Sequence, residues 1–271
     1  MSMMINNQAR DPLSLQQIKK LAPSAFSKAA DPSVSESYGF INTATLIEAL
    51  MDAKFVPVDA KQNRSRGEAG MFTRHMITFR RAGDLRRVQK VGDAIPQIML
   101  MNAHNRHSAF HIYAGAYRMV CSNGMVIANG ELGHAKVRHS LEGAAQAVQI
   151  ANGLIESADG AFAAIETMQK TKADEKLSFK YASDALKLAF PDSATIIDPN
   201  VLLVPRRKED NTKTIWNMFN VVQENVMRGG LEGKSATGRT TKTRGITRIF
   251  REVETNKALW ENAVALLPKA A

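Results

Sequence analysis

The sequence predicts an α+β protein: a central antiparallel β-hairpin sheet packed by a long helix, with a helical C-terminal region. Three observations carry this. From Met71 to Arg81 the apolar residues recur with a period of two, as in a strand. Beyond His139 they recur at three and four, as in helices. Between them lies Asn123-Gly124, the strongest short hairpin signal in the chain. The expected division is an α+β core domain over 1–190, with the sheet at about 55–130 and long helices at 140–190, then a helical region over 191–271 that contains a basic loop, 229–251.

The elements follow in order. "DPLSLQQIKKLAPSAF" makes a helix with Leu13, Ile18 and Leu21 on one side, ended by Pro23. In "YGFINTATLIEALMDAKF", Thr43 or Thr45 is the expected N-cap, and Leu46, Ile47, Leu50 and Met51 form the buried stripe. Val56 and Val58 are strand-like. "MFTRHMITFRR" alternates, with Phe72, Arg74, Met76, Thr78 and Arg80 on one side and Thr73, His75, Ile77 and Phe79 on the other. "IPQIMLMNAH" is a second strand, and "SAFHIYAGAYRMVCSNGMVIAN" holds two more around the Asn-Gly turn. One long helix is expected from Ser140 to about Lys170, kinked near Gly153. "EKLSFKYASDALKLAF" is the next helix, stopped by Pro191. "TIWNMFNVVQENVMRGG" reads as a clean amphipathic helix with Ile215, Met218, Phe219, Val222 and Val226 inward and Gly229-Gly230 as its stop. "NKALWENAVALL" closes the chain as a helix.

The net charge is +10 over 271 residues, which favours a polyanionic partner, nucleic acid before membrane. The one cysteine, Cys121, allows no disulfide within the chain and suits a reducing cytoplasm. No run approaches the eighteen apolar residues of a membrane span, and the N-terminus has no secretory h-region.

Two basic clusters are the candidate sites. In the segment 229–251, Lys234, Arg239, Lys242, Arg244 and Arg248 are separated by serines and threonines, with no acid after Glu232. Cations neutralise phosphates, while hydroxyls and glycine amides add uncharged donors. The other reading is a solvated loop without a ligand, or a salt bridge from Arg244 to Glu224 or Glu254. The second cluster surrounds the first strong strand: Arg74, Arg80, Arg81, Arg86 and Arg87, where "RRAGDLRR" resembles a basic hairpin loop able to line a single-strand groove. "GKS" in "GLEGKSATG" is no P-loop, since Gly229 stands one residue too close to Gly233 and no strand precedes it. His104, His107 and His111 are the only histidine cluster, but strand-and-turn sequence spoils helical ligand spacing. Cys121 reads as a small core residue. No carboxylate constellation suits two-metal nuclease chemistry. The expectation is a protein without cofactor or metal, and not an enzyme.

The C-terminal half carries a long pattern: Trp216, Val222, Gln223, Glu224 and Asn225; then Gly229, Gly230, Leu231, Gly233, Ser235, Ala236 and Gly238; then Thr243, Arg244, Ile246, Thr247 and Ile249; then Asn256 to Trp260. With "LMNAH", "YRMVCSNGMV" and the opening "LAPSAF", it resembles the prophage- and plasmid-borne domain-of-unknown-function family typified by YfjQ and YafZ, over nearly the whole chain. The resemblance implies a setting, mobile elements in the bacterial cytoplasm. It brings no catalytic or binding residue with it. The layout of basic hairpin sheet and long helix is similar to the core of single-strand annealing proteins of the phage Red-beta type, which implies a ring- or filament-forming homo-oligomer that hydrolyses no nucleotide. The expected function is therefore single-strand DNA binding, with annealing in recombination. The alternative is an interaction protein that modulates a host DNA-processing or defence enzyme.

Overall fold

Ser14 opens the first helix, α1 (Leu15–Leu21), with a capping box: its Oγ accepts from the Gln17 amide while the Gln17 side chain accepts from the Ser14 amide. A 3-10 turn, Pro23–Phe26, follows. Helix α2 (Thr43–Asp52) is capped by Asn42, whose side chain accepts from the Ala44 amide at 2.9 Å. Neither threonine is the cap, because Thr43 is turned inward and fully buried. The structure is a computed structural model. It describes residues 12–34, 40–64, 70–84, 94–105, 110–118, 134–137, 143–156, 159–191, 195–206, 210–211 and 213–268.

The fold is α+β. Strands β1 (Phe55–Gln62), β2 (His75–Arg81), β3 (Ala94–Asn102), β4 (Phe110–Arg118) and β5 (His134–Val137) form one antiparallel sheet in sequence order. A bulge between Pro57 and Asp59 shifts the β1 register. It keeps Phe55, Pro57 and Ala60 opposite the core-facing Arg81, Phe79 and Ile77, despite their odd spacing. Ile77, Phe79, Ile98, Leu100, Phe110 and Ile112 pack with Ile18, Leu46, Ile47, Leu50 and Ala151 from α1, α2 and α3 (Gly143–Glu156). The other side of the sheet is buried as well: Met76, Thr78, Met99, Met101 and Tyr113 are each at most 5% exposed. The alternation in the sequence marks two sides of the strand, not a dry side and a wet one. The Asn123-Gly124 turn lies outside the described residues.

The chain divides into two units, Met1–Ala158 and Asp159–Ala271. The expected long helix is two helices, α3 and α4 (Asp159–Lys170). The interruption is not at Gly153, which lies within α3. Helices α4 and α5 (Glu175–Ala189) belong to the second unit because they pack on α6 (Ile215–Arg228). Helix α7 (Ile249–Val264) and a 3-10 turn, Pro199–Leu203, complete the packing around it. Every residue of α6 from Ile215 to Met227 is buried. The expected amphipathic helix is thus a central one, and its polar residues are interior groups that need partners.

Candidate nucleic-acid interface

The partners of those interior groups explain how the basic segment is held. Asn225 donates from Nδ2 to the carbonyls of Leu202 and Val204, and accepts from Arg206 Nε at 2.6 Å. Arg206 also reaches the Gly229 carbonyl. Gln223 donates to Asn256 Oδ1 on α7 at 2.8 Å. Glu224, 3% exposed, pairs with Arg228 one turn on, at 3.0 Å. Phe219 stacks on Trp216, with centroids 5.9 Å apart, and meets Trp260 edge-on at 5.6 Å. The run Gln223-Glu224-Asn225 is therefore an anchor for the C-terminal end of α6.

At that end two backbones cross. Gly229 has φ of +63°, and a Cβ there would lie 2.5 Å from the Gly245 nitrogen. Only glycine fits both the conformation and the space. Beyond the crossing the segment folds as a β-hairpin, β6 (Glu232–Lys234) and β7 (Thr240–Lys242), where a loop is expected from sequence. Threonine favours the extended backbone, and Gly238, with φ of +78°, makes the turn. The base is closed by Gly230 N–H to Thr243 O, Thr243 N–H to Leu231 O and Ile246 N–H to Met227 O. The tip is closed by Ser235 N–H to Arg239 O, with Ser235 Oγ accepting from the Arg239 amide. One flank is pinned as well: Ile196 and Lys234 exchange backbone bonds of 2.7 and 2.9 Å, and Thr195 and Thr241 hydroxyls meet at 3.1 Å.

The register puts Glu232, Lys234, Thr240 and Lys242 on one side of the hairpin, with Gly233 and Thr241 toward Thr195 and Ile196. Lys234, Arg239, Lys242, Arg244 and Arg248 are all exposed. Lys242 pairs with Glu232 at 3.0 Å across the strands, both largely in water. Among the described residues, Lys234, Arg239, Arg244 and Arg248 enter no ion pair; Glu224 is taken by Arg228, not by Arg244. The last arginine of the segment, Arg251, is inside α7 and donates to the Ala189 carbonyl at 2.6 Å.

The first cluster is placed differently. Arg74 immediately precedes β2 and Arg80 lies on it, but Arg80 is 5% exposed and Arg74 is half-buried. Burial lowers the Arg74 pKa, with the nearby Tyr113 opposing it. Arg81 faces the core side, with its Cζ 6.0 Å from the Phe55 ring centre and Nη2 3.5 Å from Asn152 Oδ1 on α3. Arg86 and Arg87 lie outside the described residues, as do His107 and Cys121.

Of the three clustered histidines, His104 and His111 are among the described residues. His104 is fully buried toward the core, while His111 is on the opposite side of β4 from Phe110 and Ile112, stacked on Tyr113 at 5.7 Å. His104 meets His75 instead, with ring centres 5.1 Å apart. His75 Nδ1 contacts Ser24 Oγ at 3.0 Å and the Thr73 carbonyl at 3.2 Å, so Nδ1 carries the proton. Nε2 then accepts from Thr43 Oγ1 at 2.9 Å, and Thr43 in turn accepts from Asn102. Burial, then the neighbouring His104, pushes the His75 pKa down to about 3. No spacing in the sequence announces this network, since Ser24, Thr43, His75 and His104 are tens of residues apart. It ties the α1–α2 segment to the sheet, and full burial denies it a substrate. Among the described residues no three His, Cys, Asp or Glu side chains are placed to hold a metal ion, and no helix is long and apolar enough to cross a membrane.

Residues 32–260 match a family described as Domain of unknown function (DUF932), and the chain belongs to it. It is similar to the UPF0380 protein YafZ of Escherichia coli K12, 31% identical over 257 residues, covering 94% of this chain and 92% of that protein. The UPF0380 protein YfjQ of the same organism is 31% identical over 261 residues, with the same coverage. No solved structure matches the chain.

Proposed function

We propose that this member of the DUF932 family is a non-enzymatic nucleic-acid-binding protein that takes single-stranded DNA and contacts its phosphates with the β6–β7 hairpin. One observation carries the reading: a braced hairpin holds Lys234, Arg239 and Lys242 in solvent, with Arg244 and Arg248 just beyond, against the single carboxylate of Glu232. A braced hairpin loses little conformational freedom on binding, so its cations are better placed than those of a free loop. The exposed hydroxyls of Thr237 and Thr240 and the amides of the turn add neutral donors to phosphate oxygens. Phosphate contacts carry no sequence information, which favours binding with little sequence preference. We place this activity in the cytoplasm, in DNA recombination of a mobile element, with strand annealing by a homo-oligomer. Among the described residues β5, four residues long, pairs only with β4, and its other edge is where self-association would act.

The test is binding of labelled single-stranded and duplex DNA across a salt series. Single strands are expected to bind more tightly, with each phosphate contact adding roughly −0.7 to the log–log salt slope. Light scattering at tens of micromolar should give a mass above the monomer. Binding that is absent at low salt, or indifferent to salt, overturns the reading in favour of a protein that acts on a host enzyme by contact.

A further inference from the structure

The hairpin borders a cleft of about 690 Å³ within the second unit. Leu186, Lys187 and Phe190, from the C-terminal end of α5, line one wall with Pro191. Ile196 and Pro199 line the other. Among the described residues Ile196 is the most exposed large apolar side chain, at 76%, and its backbone is bonded to that of Lys234. Hydrophobic surface is thus set directly against the cationic strand. A Cβ at Gly233 would meet the Ile196 carbonyl at 2.6 Å, so hairpin and cleft wall are fitted closely together. Lys187 of α5, exposed, is the cation of the cleft lining, and the hairpin cations lie beyond the Ile196 wall.

We infer that this cleft receives unpaired nucleobases of a single strand whose phosphates follow the hairpin; the inference rests on the phosphate-binding role given to the hairpin above. Three features converge on this occupant. The volume is several times that of one base and lies in the range of built ligand sites. The walls offer one aromatic ring, Phe190, with Pro191, Leu186 and Ile196, which suits flat apolar faces of any sequence. Lys187 at the cleft and the hairpin cations next to it complement a polyanionic backbone that passes outside while its bases turn in. Bases in a duplex are stacked and paired, so they stay out of the cleft. Hairpin cations alone would hold either form of DNA, whereas the cleft gives a preference for single strands.

The experiment compares a labelled thymidine oligonucleotide with an abasic one of equal length, which keeps the phosphates and lacks the bases. Wild type should bind the thymidine strand about tenfold more tightly, in line with one or two stacked bases. Ile196→Ser, at an exposed position, should remove most of that difference without moving the salt slope or the melting temperature. Phe190→Ala should do the same to affinity. Lys234→Ala with Arg239→Ala should instead weaken both ligands equally and flatten the slope. Equal wild-type affinity for the two oligonucleotides overturns the cleft inference and leaves the hairpin reading intact. A difference that survives both cleft variants puts the bases elsewhere and overturns it too. Failure of both oligonucleotides to bind removes the cleft and the hairpin reading together.

Discussion

Arg80 on β2 is 5% exposed, whereas Lys242 on β7 keeps 65% of its side chain in water. The two stand for their regions. At β2 and the residue before it the arginines are spent within the first unit: Arg80 is interior, Arg74 is half-buried and Arg81 lies over Phe55 toward α3. On the hairpin the cations stand clear, and the interior polar groups are neighbours that brace it: Asn225, Gln223 and Glu224 behind, Thr195 and Thr241 beside. A buried guanidinium contributes packing and internal bonds, and its loss is felt as instability. An exposed one contributes almost nothing to stability and is left for a partner. Charge density along the chain does not separate these roles.

The sharpest way to break the comparison is at the brace. Gly229→Ala places a Cβ against the Gly245 backbone in a left-handed conformation and should cost about 3 kcal/mol, read as a melting temperature lower by roughly 10 °C. A tolerated alanine would mean that the hairpin is not clamped to α6. Next is Arg80→Ala, expected to destabilise by about 2 kcal/mol while the surviving folded protein binds DNA as before. Loss of binding at unchanged stability would move β2 into the contact surface.

Acid tests the buried side again. The folded pKa of His75, about 3, lies below the unfolded value near 6.5, so the unfolded chain binds the extra proton between them. The contribution of neutral His75 is complete above about pH 6.5 and is lost on acidification toward pH 3, at about 1.4 kcal/mol per pH unit. Urea titrations at several pH values should show this fall, and His75→Asn should flatten it. An unchanged slope in the variant would assign the acid sensitivity elsewhere. The smallest effect on stability belongs to the exposed side. Lys234→Ala, Arg239→Ala and Lys242→Ala together should barely move the melting temperature, since the Lys242–Glu232 pair is a surface pair. The salt slope of single-strand binding should nevertheless flatten by about 2. A triple variant that unfolds, or one that binds normally, would erase the contrast between the regions.

Much of the fold was legible along the chain. The period of two in Met71–Arg81 located β2 and its two sides, and Pro23, Pro191 and Gly229 ended helices where the backbone had to turn. Helix α6 was legible as a helix but not as a central one. Its apolar residues occupy one side, yet Asn217, Asn220, Gln223, Glu224 and Asn225 are buried too. The basic segment was legible as a cationic surface, while its strands were hidden by glycines and by runs of only three residues.

By itself the sequence determined what depends on near neighbours: helix stops, strand alternation, an α+β order of elements and an excess of positive charge. Tertiary structure alone decided which charges meet water. Solvation of a side chain depends on atoms brought from distant positions, and no local pattern encodes them. Ser24, Thr43 and His104 enclose His75 across tens of residues. Ile196, far from the hairpin in sequence, bridges to its edge at Lys234 and sets an apolar wall beside it.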